Sequence, residues 1–293
     1  MTTERVPGIQ ASNAFYYYAD VEAAHDFYSR ILGFETVVDY GFAKILRVAP
    51  TSYLTLVDEE SGMHSSEEPK SVTLAIVTEE VEGWYDYLVS EGVEMRGPYN
   101  RRENQPHDGF VAIDPEGYYL EFERFNPHEE NTLLMPVLNA IEPLGPFGDT
   151  PRPSELRVQA TVLWLYYDDI PAIQEFWEST LGVDLMLDQG WAKVYQASPT
   201  GFIGPVDGTR GLHTATEEKA VTVSFFTDDV GAWLDRARQL GIELRTPELT
   251  DESGRGSVFV AYDPEGYFLE WDTFLDVDGN GRLFDLLANT DGG

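Results

Sequence analysis

Apolar and polar positions change their period along this chain in a fixed order. Residues 13–18 (Asn-Ala-Phe-Tyr-Tyr-Tyr) form a continuous, largely aromatic run of strand character. Asp20 stands where it can cap a helix, and Val21, Ala24, Phe27, Tyr28 and Ile31 follow at helical spacing until Gly33 stops it. Three short strands are predicted next, around 36–40, 43–48 and 53–57. The order then repeats, with a strand at 72–77, a helix at 81–90 ended by Gly92, and strands near 93–96, 109–114 and 119–124. Each unit reads strand, helix, strand, strand, strand.

A larger repeat contains this one. An ungapped shift of 149 positions carries Asp20-Val21 onto Asp169-Ile170, Phe27-Tyr28 onto Phe176-Trp177 and Leu32-Gly33 onto Leu181-Gly182. The same shift takes His64 to His213, Trp84 to Trp233, and Asp114-Pro115-Glu116-Gly117-Tyr118 to Asp263-Pro264-Glu265-Gly266-Tyr267. The chain therefore holds four βαβββ modules in two units, 8–135 and 157–288, with a Pro- and Gly-rich linker over 136–156.

The helix signature from Asp20 to Phe34 and the closing run from Asp114 to Glu121, each present twice, resemble the vicinal-oxygen-chelate superfamily of glyoxalases, bleomycin-resistance proteins and extradiol dioxygenases. That resemblance implies an α+β fold in which paired modules form a half-open, cup-shaped mixed sheet with helices outside. Both faces of the first strand would then be covered, which accounts for its unbroken apolar run. Residues of one parity should face the cup: Asn13, Phe15 and Tyr17 in the first half, Val162, Trp164 and Tyr166 in the second.

Metal-dependent members of the superfamily hold a divalent ion at four inward positions, ending in a Glu on the eighth strand. Carried onto this chain, the four are Asn13, Thr55, Thr73 and Glu121, and in the second half Val162, Gly204, Thr222 and Glu270. Only the last donor survives in each half. An amide, hydroxyls, Val and Gly are poor partners for a transition metal, which seeks imidazole and carboxylate. The expectation is therefore a protein that binds a small organic molecule without a metal. Phe15, Tyr17, Thr73, Tyr119 and Glu121 should line one cup, and Trp164, Tyr166, Trp191, Thr222, Phe268 and Glu270 the other. His64 and His213, in matching Gly-x-His segments, are candidate rim contacts, and Glu121 and Glu270 are candidate general bases. The alternative is a metal-dependent lyase, epimerase or dioxygenase with a displaced site built from Asn13, His64 and Glu121. Whether the chain is an enzyme stays open at this point.

Charge and composition narrow the partners. The chain carries 52 Asp and Glu against 19 Lys and Arg, a formal net charge of −33, which opposes binding to a phosphate backbone. Spread along the whole length, this acidity reads as a surface suited to high salt, where screening removes most of the self-repulsion. There is no apolar run long enough to span a bilayer and no secretory pattern at the start, so a cytoplasmic monomer or homodimer is expected. With no Cys, no phosphate-binding glycine loop and no G-x-S-x-G elbow, thiolate, phosphoryl-transfer and serine-hydrolase chemistry are unsupported.

Overall fold

The computed structural model describes residues 6–102 and 104–290. The first module contains β1 (Ala11–Tyr18), α1 (Val21–Asp26), β2 (Glu35–Asp39), β3 (Ala43–Ala49) and β4 (Ser52–Asp58). The second contains β5 (Val72–Val77), α2 (Val81–Ser90), β6 (Glu94–Met95), β7 (His107–Ile113) and β8 (Tyr119–Phe125), and α3 (Leu134–Ala140) follows it. The third comprises β9 (Ala160–Tyr167), α4 (Ile170–Phe176), β10 (Asp184–Asp188), β11 (Lys193–Gln196) and β12 (Gly201–Asp207). The fourth comprises β13 (Val221–Phe226), α5 (Val230–Leu240), β14 (Thr250–Asp251), β15 (Gly256–Tyr262) and β16 (Phe268–Phe274), and α6 (Gly281–Ala288) follows. This is the α+β arrangement of four βαβββ modules that the pattern predicts.

The signature residues have visible physical tasks. Asp20 caps α1 by accepting from the Ala23 amide at 2.9 Å, and Asp169 does the same for α4 from Ala172 at 3.1 Å. Gly33 and Gly182 take φ values of +65° and +64°, where a side chain would be strained. Asp114 is buried and accepts four bonds, from the hydroxyls of Tyr18 (2.7 Å) and Tyr28 (3.0 Å) and the amides of Glu116 (3.0 Å) and Tyr118 (2.8 Å). Glu116 reaches back to the amides of Ala19 and Asp20, so the closing turn of the second module is tied to the first helix. Asp263 and Glu265 repeat these bonds in the other half except for the one from Tyr28, whose place is taken by Trp177.

The modules do not pair as neighbours in sequence. One eight-stranded sheet runs β14-β15-β16-β13-β1-β4-β3-β2 and the other β10-β11-β12-β9-β5-β8-β7-β6. The first module is joined to the fourth by antiparallel pairing of β1 with β13, and the second to the third through β5 and β9. Each cup therefore takes one module from each sequence half. Thr51 and Thr200, a residue and its own copy, exchange hydrogen bonds from each amide to the other's hydroxyl at 2.8 and 2.9 Å, which puts the internal pseudo-twofold between them.

The main core lies where the outer faces of both sheets meet the helices and one another. Tyr16 stacks on Tyr118 at 3.9 Å, and the Tyr118 hydroxyl donates to the Ala220 carbonyl at 2.7 Å, joining three modules. Helix α3 closes one end of the second cup with Leu134 and Leu138, and α6 does the same for the first cup with Leu283 and Leu287. The stretch 136–156 is packed down: Arg152 is buried, stacks 4.6 Å over Trp84 and donates to the carbonyls of Leu32 and Leu156.

Candidate functional site

Cross-half pairing changes which predicted residues meet. Phe15 and Thr55 share a cavity of about 120 Å³ with Glu270, reached between Tyr40, Phe42 and Arg255 (the first cup). Glu121 shares a cavity of about 230 Å³ with Trp164, Tyr166 and Trp191 (the second cup). The expected groupings, Phe15 with Glu121 and Trp164 with Glu270, are corrected accordingly. The displaced metal site is corrected too. Asn13 and His64 belong to the first cup and Glu121 to the second, so the three cannot share an ion.

Each floor carries a second carboxyl that the sequence reading did not single out. Strand alternation places Glu123 on the same face as Glu121, and Asp272 on the same face as Glu270. The signal was available, since the 149 shift maps one acid-x-acid segment onto the other. Glu123, Glu270 and Asp272 are buried and Glu121 is half-buried. Desolvation pushes the Glu121 carboxyl up to about 7, partly offset by the charges of Arg102 and Arg96. Glu123 is raised by burial and by Glu121 beside it. Burial likewise moves Asp272 up to about 7, although the Ser224 hydroxyl donates to it at 2.6 Å. Glu270 rises through burial and the adjacent Asp272.

These shifts fix a pH dependence. A carboxyl with a folded pKa above its ordinary 3.8 or 4.5 binds its proton more tightly in the folded chain, so its stabilising effect is complete below about pH 4. That stability is lost as pH rises through about 7. The depressed surface carboxyls, such as Asp39 beside Lys44, act with the opposite sign but only below the ordinary value of 3.8. Urea midpoints should therefore fall between about pH 6.5 and pH 8, above the range in which depressed histidines such as His213 add stability as pH rises. Glu121→Gln should be more stable than the parent at pH 8 by about 2 kcal/mol and nearly equal to it at pH 5. A midpoint that rises with pH over this range would contradict the assignment.

Around the floors, the inner positions differ between cups. Asn13 accepts from the Thr55 hydroxyl at 3.0 Å, while its own Nδ2 is buried without a partner. The residue opposite Asn13 is Ser224, and that opposite Val162 is Ala75. Thr222 and Thr73 sit one inward position further toward the mouth, where they bond the hydroxyls of Tyr17 (2.7 Å) and Tyr166 (3.0 Å). In the second cup a Cβ on Gly204 would lie 2.0 Å from the Trp164 ring, so the indole occupies the space of the second ligand position. Indole and Glu123 lie close, yet among the described residues neither Trp164 Nε1 nor Glu123 Oε1 completes a hydrogen bond.

The mouths are built alike. His64 packs 4.5 Å from Phe268 and 5.0 Å from Tyr17, and His213 repeats both distances against Tyr119 and Tyr166. Both Nε2 atoms are buried without hydrogen-bond partners among the described residues. His64 Nδ1 meets Glu68 at 2.8 Å, whereas His213 is pushed down to about 4 by burial and the nearby Arg96 charge. All twelve predicted ligand residues and both glutamates thus sit in or beside a cup, six of the ligand residues by each.

The residues present do not suit a transition metal. In the second cup Val162, Ala75 and Gly204 offer no side-chain donor and Trp164 fills the space. The first cup offers an amide, hydroxyls and two adjacent carboxyls that burial holds toward the protonated form, so a cation would have to displace a proton there. Among the described residues, no three His, Cys, Asp or Glu side chains are placed so that they could hold a metal ion together.

Comparison with known proteins agrees with this architecture. The family model described as the glyoxalase/bleomycin resistance protein/dioxygenase superfamily matches residues 11–122 and 158–271. The fold is similar to a Bacillus subtilis protein provisionally described as a dioxygenase, with a TM-score of 0.62, 15% identity, and 93% of this chain and 86% of that one covered. It is also similar to glyoxalase I from Zea mays, with a TM-score of 0.59, 14% identity, and 98% and 97% covered. No curated protein sequence matches the chain. Among the described residues, no helix is long and apolar enough to cross a membrane.

Proposed function

Because this chain belongs to the glyoxalase/bleomycin resistance protein/dioxygenase superfamily, we propose that its two cups bind small organic molecules without the transition metal usual in that family. The observation that carries this reading is the carboxyl pair on each floor, with at least one member buried, facing an aromatic-lined cavity where a metal-binding member would place converging ligands. A desolvated carboxyl needs a partner, and an N–H or O–H group of a ligand supplies one. Trp164, Trp191, Phe15 and Tyr40 offer faces for a planar molecule, each good contact contributing about 0.5–2 kcal/mol. The unpartnered Nε2 atoms of His64 and His213, Nδ2 of Asn13 and Nε1 of Trp164 are the further hydrogen-bonding groups left for a ligand.

In this reading Glu121 and Glu270 orient the ligand. With Glu121 held near 7, that carboxyl can also exchange a proton at neutral pH, which is the route by which the second cup would act as a catalyst. We place the protein in the cytoplasm as a monomer or homodimer, acting on a small molecule and on neither nucleic acid nor membrane. A thermal-shift screen of planar amines, amidines and amides, run with and without chelator, tests the proposal. A ligand class that raises Tm equally in both conditions, with the gain lost in Glu121→Gln plus Glu270→Gln, is expected. Binding abolished by the chelator would defeat the metal-free reading.

A further inference from the structure

We infer that the two cups have diverged in the charge they select, the second taking an aromatic molecule that bears an anionic group and the first an aromatic cation. This rests on the reading of both cups as small-molecule sites and specifies the ligand class of each. The floors are alike and each mouth keeps its histidine and one arginine, Arg96 over Tyr119 and Arg245 over Phe268, but the remaining rim charges differ. The second cavity is lined by Arg102 and Arg210, and Arg210 lies 4.9 Å over the Trp191 ring. Among the described residues neither arginine forms an ion pair. In a chain of net charge −33, two guanidinium groups outside any ion pair at one mouth put positive charge against the prevailing acidity. The first cavity carries Glu252 and one arginine, Arg255, which lies 4.2 Å over Tyr40. Both floors carry a raised carboxyl pair, so the charges that separate the cavities are Glu252 with Arg255 at the first and Arg102 with Arg210 at the second.

The difference is written in the duplication. Under the 149 shift Arg102 falls on Asp251 and Arg210 on Ser61, whereas the floor acids and the mouth histidines are kept. A carboxylate or phosphonate at the second rim would meet two planar guanidinium groups suited to bidentate contact. Its ring would lie between Trp164 and Trp191, and its polar end would reach the raised carboxyls of Glu121 and Glu123, which can donate as well as accept.

Two probes, phenylphosphonate and benzamidinium, test this by NMR on the full chain. The indole N–H signals of Trp164 and Trp191 report the second cup and the methyl signals of Ile45 the first. Phenylphosphonate should move the indoles alone and benzamidinium the Ile45 methyls alone. Arg102→Ala with Arg210→Ala, both exposed positions, should weaken phenylphosphonate by about tenfold or more and leave benzamidinium within about twofold. Glu252→Lys, also exposed, should do the reverse. Both probes binding without partition, or anion affinity unchanged in the double variant, would overturn the divergence while leaving the cups as binding sites. Neither probe moving either set of signals would overturn the divergence and count against the underlying reading as well.

Discussion

Replacing Asp114 with Ala should cost about 3–5 kcal/mol and lower Tm by roughly 10 °C, the largest stability loss expected from any single substitution considered. The carboxylate accepts four hydrogen bonds, two of them from the hydroxyls of Tyr18 and Tyr28, which are themselves buried. Removing it leaves those hydroxyls only each other, at 3.2 Å, and takes the partner from the Tyr118 amide, and each donor so orphaned inside the core costs about 1–3 kcal/mol. The turn that carries Glu116 would also loosen, releasing the amides of Ala19 and Asp20 at the start of α1. Asp114→Asn separates shape from charge. Its carbonyl can keep the two amides, and the tyrosine hydroxyls can rotate to accept from its NH2, so a loss of about 1–2 kcal/mol is expected. Equal losses in the two variants would mean that the network is not what holds the turn.

Gly204→Ala should lower stability by about 1–3 kcal/mol and weaken ligand binding in the second cup by tenfold or more. The added methyl would overlap the Trp164 ring, and the indole is a stacking face for the proposed ligand as well as a neighbour of Glu123. Relief requires the ring to swing into the cavity of about 230 Å³, so the loss of space and the loss of the stacking face come together. The first cup should be untouched. Gly281→Ala is the control: a Cβ there meets nothing within 4 Å, and the residue begins α6, so stability should hold or rise slightly. Normal second-cup affinity in Gly204→Ala would show that Trp164 plays no part in binding.

Most of the fold was legible in the sequence because each module signals itself locally. Asp20 and Asp169 cap, Gly33 and Gly182 stop, and the Asp-Pro-Glu-Gly turns close, all through bonds between residues whose roles follow from type and spacing. Which modules share a sheet was not legible. A 149-residue repeat gives β1 and β9 the same character, and β5 and β13 likewise, so the pattern that predicts pairing of β1 with β5 serves equally for β1 with β13. The choice is made by long-range packing, including Tyr118 bonded to Ala220 and Thr51 bonded to its own copy Thr200. The site inherits this ambiguity. Individual cup residues were identifiable by parity, but Phe15 and Glu121 were grouped across sheets that the chain keeps apart. Glu123 and Asp272 are marked in the sequence only by strand alternation, which puts a second acid on the same face two residues after each glutamate.

The most direct test is elemental analysis of the full chain purified without chelator. Far less than one equivalent of zinc, nickel, iron or manganese should be found, unchanged by Glu121→Ala or Glu270→Ala. A stoichiometric ion that disappears with either substitution would contradict the account, because the carboxyl pairs would then be ligands of a metal and not anchors for an organic molecule.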